Sequence, residues 1–203
     1  MQSFDSPNPA PNPRRVRIFA AEKGISLPTR AVSIPAREQK TPEFLAINPR
    51  GQTPALQLDD GTVIAESLAI CRFLEALHPD PPVFGRTPTE IGIIEMWCRR
   101  AELIAMLPVG QVWVHTHRFT AALPGRNEVW GEANRARVAE AFGFFDRSLD
   151  GREFLAGERF SMADIVLLTT VDFAKFVGCG PGEELEALTL WHQRISARPS
   201  AAA

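Results

Sequence analysis

Glu66 and Ser67 fall where an apolar run gives way to helical spacing, placing a carboxylate and a hydroxyl together at a helix start. A helix N-terminus offers backbone N–H groups without intrahelical partners and a partial positive charge, so it binds carboxylates and other anions. Just upstream, Thr53-Pro54 precedes Ala55-Leu56-Gln57-Leu58. A proline is tolerated at a strand entrance, where its missing N–H costs no ladder bond, and X–Pro is almost the only place for a cis peptide. The other chemically pointed stretch runs from Ser6 to Val16, with prolines at positions 7, 9, 11 and 13. There Asn12 before Pro13 has the pattern of an N-cap with proline at the first helical position. Its side-chain oxygen can cap the helix while its NH₂ group faces a ligand. Ser6 and Asn8 are the alternative polar groups of this segment.

The remaining reactive residue types point elsewhere. Cys71, Cys98 and Cys179 are odd in number and widely spaced, which fits a reduced cytoplasm and neither a disulfide framework nor a metal cluster. His115 and His117 are two apart and diverge on a helix, so no metal is expected. Cys71 reads as a core residue of its helix. Arg14, Arg15 and Arg17 are either a basic rim or a solvated helix face.

The elements that must position these groups can be read from periodicity. Ser3-Phe4-Asp5 is a short strand candidate, followed by a helix from Pro13 to about Lys23 that Gly24 stops. Thr29 to Ile34 reads as a strand and Pro42 to Ile47 as a short helix. Asp60-Gly61 turns a hairpin between Leu56–Leu58 and Thr62–Ile64, and Ser67 to Leu77 is helical. The segment 79–88 is proline-rich and reads as a linker. Beyond it the pattern is helical: Thr89 to Met106, broken by Pro108; Asn134 to Leu149; and Leu185 to Ile195. Ser161 with Asp164 forms a capping box, flanked by a Phe160–Ile165 staple, at the start of another helix.

Composition narrows the partners. The 203 residues are 45% hydrophobic with a formal net charge of −2, enough to bury a core and without the basic excess that nucleic acid or an anionic membrane selects. No apolar run approaches the ~18 residues of a membrane span. The first residues have neither the basic nor the apolar region of a secretory leader, so a cytoplasmic location is expected.

The combination Gln52-Thr53-Pro54-Ala55-Leu56 with Glu66-Ser67 resembles the glutathione site of the glutathione S-transferase family, a likeness extending from about residue 4 to about residue 199. The resemblance implies an α/β thioredoxin-like N-terminal domain (a mixed four-stranded sheet with helices, residues 1–78) and an all-α C-terminal domain (residues 89–203). It also implies glutathione as co-substrate, a homodimer, and a role in detoxification. Thr53 and Pro54 would present a backbone edge to the cysteinyl part of glutathione. Glu66 and Ser67 would hold its γ-glutamyl end, and Gln39, Lys40 and Gln52 would lie near its glycyl carboxylate; for Gln39 and Lys40 a solvated loop face is the alternative. The start Asn12-Pro13-Arg14-Arg15-Val16 is similar to that of the Asn-type Nu class, in which an asparagine amide faces the glutathione sulfur. That likeness makes Asn12 the first candidate for thiolate donor, ahead of Ser6 and Asn8. Pro13 and Ala10 depart from the Nu pattern, which has a glycine and a hydroxyl residue there. Tyrosine is absent from the chain, so the tyrosine-dependent classes do not apply.

The chemistry so implied is attack by the glutathione thiolate. A free cysteine thiol has a pKa near 8.5. Lowering it by about two units takes roughly 2.7 kcal/mol of selective thiolate stabilisation. A small hydrophobic electrophile would be lined by Ala10, Met96, Trp97 and Arg100; for Met96, Trp97 and Arg100 ordinary core is the alternative. A disulfide as second substrate, giving a glutathione-dependent reductase, and a non-catalytic glutathione-binding module are the alternatives.

Overall fold

The computed structural model describes residues 1–7 and 9–203; Asn8 lies outside the described residues. The chain divides into two compact units, residues 1–83 together with 199–203, and residues 84–198.

The first unit is a four-stranded mixed sheet in the order β2-β1-β3-β4. β1 (Gln2–Asp5) pairs in parallel with β2 (Thr29–Ala31) across the helix α1 (Pro11–Glu22). β1 also pairs antiparallel with β3 (Ala55–Gln57), which forms the hairpin with β4 (Val63–Ala65). Phe4, Val32, Phe44 and Ala55 form a buried cluster, with the Phe4 and Phe44 rings edge to face at 6.0 Å. Phe44 comes from α2 (Pro42–Ile47), whose Thr41 side chain accepts from the Phe44 N–H. α1 packs with α3 (Ser67–Leu77), and both bury apolar stripes: Val16 and Phe19 on one, Ile70 and Leu74 on the other.

The second unit is helical. α4 (Pro88–Arg100) runs through a π-helical stretch, Ala101–Met106, directly into α5 (Leu107–Thr116). Pro108 therefore does not end the helix, contrary to the expectation from sequence. It falls at the beginning of α5, just after the widened turn, where the Leu107 N–H reaches back to the Glu102 carbonyl. A π turn reshapes the backbone where proline cannot join the regular ladder. α6 (Glu128–Leu149) begins earlier than its periodicity indicates, capped by Asn127 accepting from the Trp130 N–H. α7 (Met162–Val177) is buried at every position from Met162 to Val171, including Asp164, Thr169 and Thr170, whose side chains are hydrogen-bonded, and α8 (Glu186–Ser196) follows it.

α1 also corrects the sequence reading. It starts at Pro11 with Ala10 as N-cap and no side-chain cap, so Asn12 sits in the first turn instead of capping it. Residues before proline avoid helical backbone, which favours a start at Pro13. Burial of Pro13, Arg15 and Val16 against the unit overrides that preference. The arginines form neither a rim nor a solvated face. Arg15 is 1% exposed, Arg17 pairs with Asp5 at 2.8 Å, and Arg14 donates to the Ala201 carbonyl at 2.9 Å.

Candidate functional site

Strand register brings together what the sequence separates. Phe4 faces Ala55, and Ala55 faces Ala65. Continuing the β1–β3 ladder by two residues brings Ser6 to Thr53. The Ser6 and Thr53 hydroxyls are indeed hydrogen-bonded at 2.8 Å. The Thr53–Pro54 peptide is cis, and pairing of β3 begins only at Ala55.

At the end of β4 the backbone turns sharply into α3. Glu66 is the N-cap with φ +70°, a left-handed conformation in which a side chain with a Cβ is strained, and its side chain makes no capping bond. Ser67, the first helical residue, is buried. The first turn of α3 therefore presents its N–H groups with a carboxylate and a hydroxyl at its mouth, the arrangement for a group carrying both ammonium and carboxylate.

The loop before Pro54 is built on Gly51, at φ +59°; a Cβ there would lie 2.5 Å from the Gln39 carbonyl oxygen and 2.7 Å from Lys40 Nζ. Gln39 and Lys40, on the 3₁₀ turn Glu38–Lys40, are thereby held against this loop. Lys40 Nζ donates to the Arg50 carbonyl at 3.0 Å, which leaves two of its three N–H donors for an anion. The Gln39 side-chain oxygen is buried without a protein partner among the described residues. Gln52 is exposed and accepts from Arg50 Nε at 3.2 Å.

Two supports were not singled out from sequence. Buried Asn48 donates to the Gln52 carbonyl at 2.8 Å and accepts from the Arg50 N–H at 3.2 Å. Arg17 Nη1 binds both oxygens of Asp5 at 2.8 Å and the Ser6 carbonyl at 3.3 Å. Asn48 before Pro49 had a turn signal, but nothing in the spacing of Asp5 and Arg17 marks a pair across a strand and a helix.

On α1 the sequence itself limits what the helix start can offer. Pro11 and Pro13 have no N–H, so the Asn12 amide is the one backbone donor of the first turn, and its side chain is exposed. In the second unit Trp97 is 6% exposed and packs on the Phe144 and Phe145 rings at 6.0 and 6.1 Å. The Arg100 guanidinium lies 4.7 Å over Trp97, and Met96 is exposed. Among the described residues no three His, Cys, Asp or Glu side chains cluster as a metal ion requires. Nor, among the described residues, is any helix long and apolar enough to cross a membrane.

Family models match both units: the glutathione S-transferase N-terminal domain at residues 10–77 and the C-terminal domain at residues 111–199. Glutathione S-transferase 2 of Saccharomyces cerevisiae is 40% identical over 204 residues, covering 97% of this chain and 86% of that protein. The chain belongs to the glutathione S-transferase family. The crystal structure of Gtt2 from S. cerevisiae superposes with a TM-score of 0.93 at 39% identity, covering 100% of this chain and 99% of that one. A glutathione S-transferase domain-containing protein of Marinobacter aquaeolei VT8 gives a TM-score of 0.93 at 34% identity, covering 98% and 99%. The mixed sheet with helices followed by a helical unit is thus the glutathione S-transferase fold. The family uses glutathione, and the cis-proline loop and α3 start offer groups of the right chemistry for it.

Proposed function

We propose that this transferase binds glutathione along the Thr53–Ser67 edge and directs its thiolate at an electrophilic carbon of a small hydrophobic molecule. The observation that carries the reading is the open start of α3, where Glu66 is an exposed N-cap that makes no capping bond and Ser67 is the first helical residue. In this reading Glu66 takes the γ-glutamyl ammonium, and Ser67 with the α3 N–H groups takes the adjoining carboxylate. The Thr53 backbone pairs with the cysteinyl amide beside Pro54. Lys40, with Gln39 and Gln52, takes the glycyl carboxylate. Asn12 donates to the sulfur, its amide supplying part of the stabilisation that ionises the thiol. The C–S bond then forms as the leaving group departs with its electron pair, and the thiol proton goes to water. Residues 1–78 form the glutathione-binding domain, joined by 79–88 to the helical domain that begins at residue 89, with 199–203 returning to the first unit. Met96 and Arg100 of the helical unit, with Trp97 stacked beneath Arg100, are the proposed lining for the electrophile.

We further propose a cytoplasmic homodimer acting in detoxification, with neither nucleic acid nor membrane as partner. Leu103 and Leu107, 58% and 50% exposed, supply apolar surface of the kind that association covers.

Binding to immobilised glutathione together with turnover of a chloroarene tests the reading. Binding with turnover is expected. Turnover of a small model disulfide alone would reassign the chain as a glutathione-dependent reductase, and binding without either turnover would leave a binding module. Absence of binding would remove the site.

A further inference from the structure

We infer that Ser6 is a positioning residue for glutathione, acting through the Thr53 hydroxyl to fix the cis-proline loop. The inference rests on the glutathione-binding reading above and assigns within it a role to a buried hydroxyl.

Ser6 stands just past the end of β1 and is 2% exposed. Its Oγ lies 2.8 Å from Thr53 Oγ1, joining positions 47 residues apart. The β1 end is itself anchored: Arg17 on α1 grips the Asp5 carboxylate and the Ser6 carbonyl through one guanidinium nitrogen. Thr53, by contrast, lies outside the strand pairing that begins at Ala55. Strand pairing therefore does not hold the backbone edge assigned to the cysteinyl amide. Threonine is β-branched and stiff about χ1, so holding its hydroxyl also restrains the backbone that carries it. The hydroxyl pair thus carries the rigidity of the Asp5–Arg17 anchor across to the loop. Within one protein, edge order of this kind changes how well a ligand is bound and not how its sulfur is ionised.

Ser6→Ala and Thr53→Val, each made in the full chain, should raise KM for glutathione by about three- to tenfold and leave kcat at saturating glutathione within about twofold. The pH titration of the bound thiol should not move. The double variant should be no worse than either single, because both remove the same bond. Ser6→Thr, which restores a hydroxyl, should recover most of the affinity. An unchanged KM in both single variants overturns the inference. So does a raised thiol pKa in Ser6→Ala, which would put the hydroxyl on the sulfur itself. Trp191→Phe, in the other unit, supplies the control for lost stability: an equal rise in KM there would make the Ser6 effect merely structural and overturn the claim. Failure of the unaltered protein to bind glutathione would sink the binding reading itself, a result distinct from the other three.

Discussion

The starts of α7 and α3 are two helix N-termini built in opposite ways. At α7, the Asp164 carboxylate is fully buried and accepts from the Ser161 N–H, the Ser161 hydroxyl, the Leu155 N–H and the Trp191 indole at 2.9–3.1 Å. Burial still pushes its pKa up, against the pull of those donors. At α3 the acid is exposed, makes no capping bond, and sits on a left-handed backbone. The first arrangement satisfies its donors internally and joins α7 to the 155 loop and α8. The second leaves its donors directed outward, which suits a ligand better than a folding nucleus. α1 is a third case, uncapped like α3 but with two of its first-turn positions occupied by proline.

Breaking the closed terminus should have the largest effect. Asp164→Ala strands several buried donors, each worth about 1–3 kcal/mol when unsatisfied, so a loss of at least about 3 kcal/mol in denaturant unfolding is expected. Proton linkage adds a signature. The folded-state pKa is raised, so the folded chain binds this proton more tightly than the unfolded one. The stability contributed by that proton is full below the unfolded carboxyl range and is lost as pH rises through the folded pKa. The advantage of wild type over Asp164→Asn should therefore grow on acidification.

At the open terminus, stability and binding should move in opposite directions. Glu66→Gly relieves a left-handed φ and should raise stability by up to about 1 kcal/mol. It also removes a charge-assisted bond worth about 1.5–3 kcal/mol, so glutathione affinity by calorimetry should fall roughly ten- to a hundredfold. A fall in both would contradict the contrast between the two helix starts.

Asn12→Ala should have a smaller effect. One neutral amide donor is worth about 1 kcal/mol, so the pKa of bound glutathione should rise by roughly one unit in thiolate absorbance. An unchanged titration would move the role to the remaining groups of that segment. The smallest signal is expected at the protein's own thiols. Cys71 and Cys98 are buried, and burial pushes Cys179 up to about 11. Alkylation of the native chain at neutral pH should be slow, and replacing Cys179 by Ser should leave turnover intact.

The local parts of the molecule were readable from the chain. The hairpin at Asp60-Gly61, the helices at 42–47 and 67–77, and the Ser161–Asp164 box depend on neighbours a few residues apart, and each lies within a residue or so of its expected place. The Gln52–Leu56 and Glu66-Ser67 motifs were legible for the same reason, since a cis-proline loop and a helix start are short-range features. The start of α1 was not, because the local preference against helical backbone before Pro13 points to the later start, and burial of Pro13 and Val16 overrides it. Nor was the fate of Arg14, Arg15 and Arg17: their charge implies solvent, yet Asp5 and the returning chain end at Ala201 draw two of them inward. Sequence by itself thus determined the family, the order of elements and the chemical groups available at the site. Tertiary structure alone decided that Ser6 meets Thr53, because that meeting depends on the register of strands whose pairing no local pattern encodes.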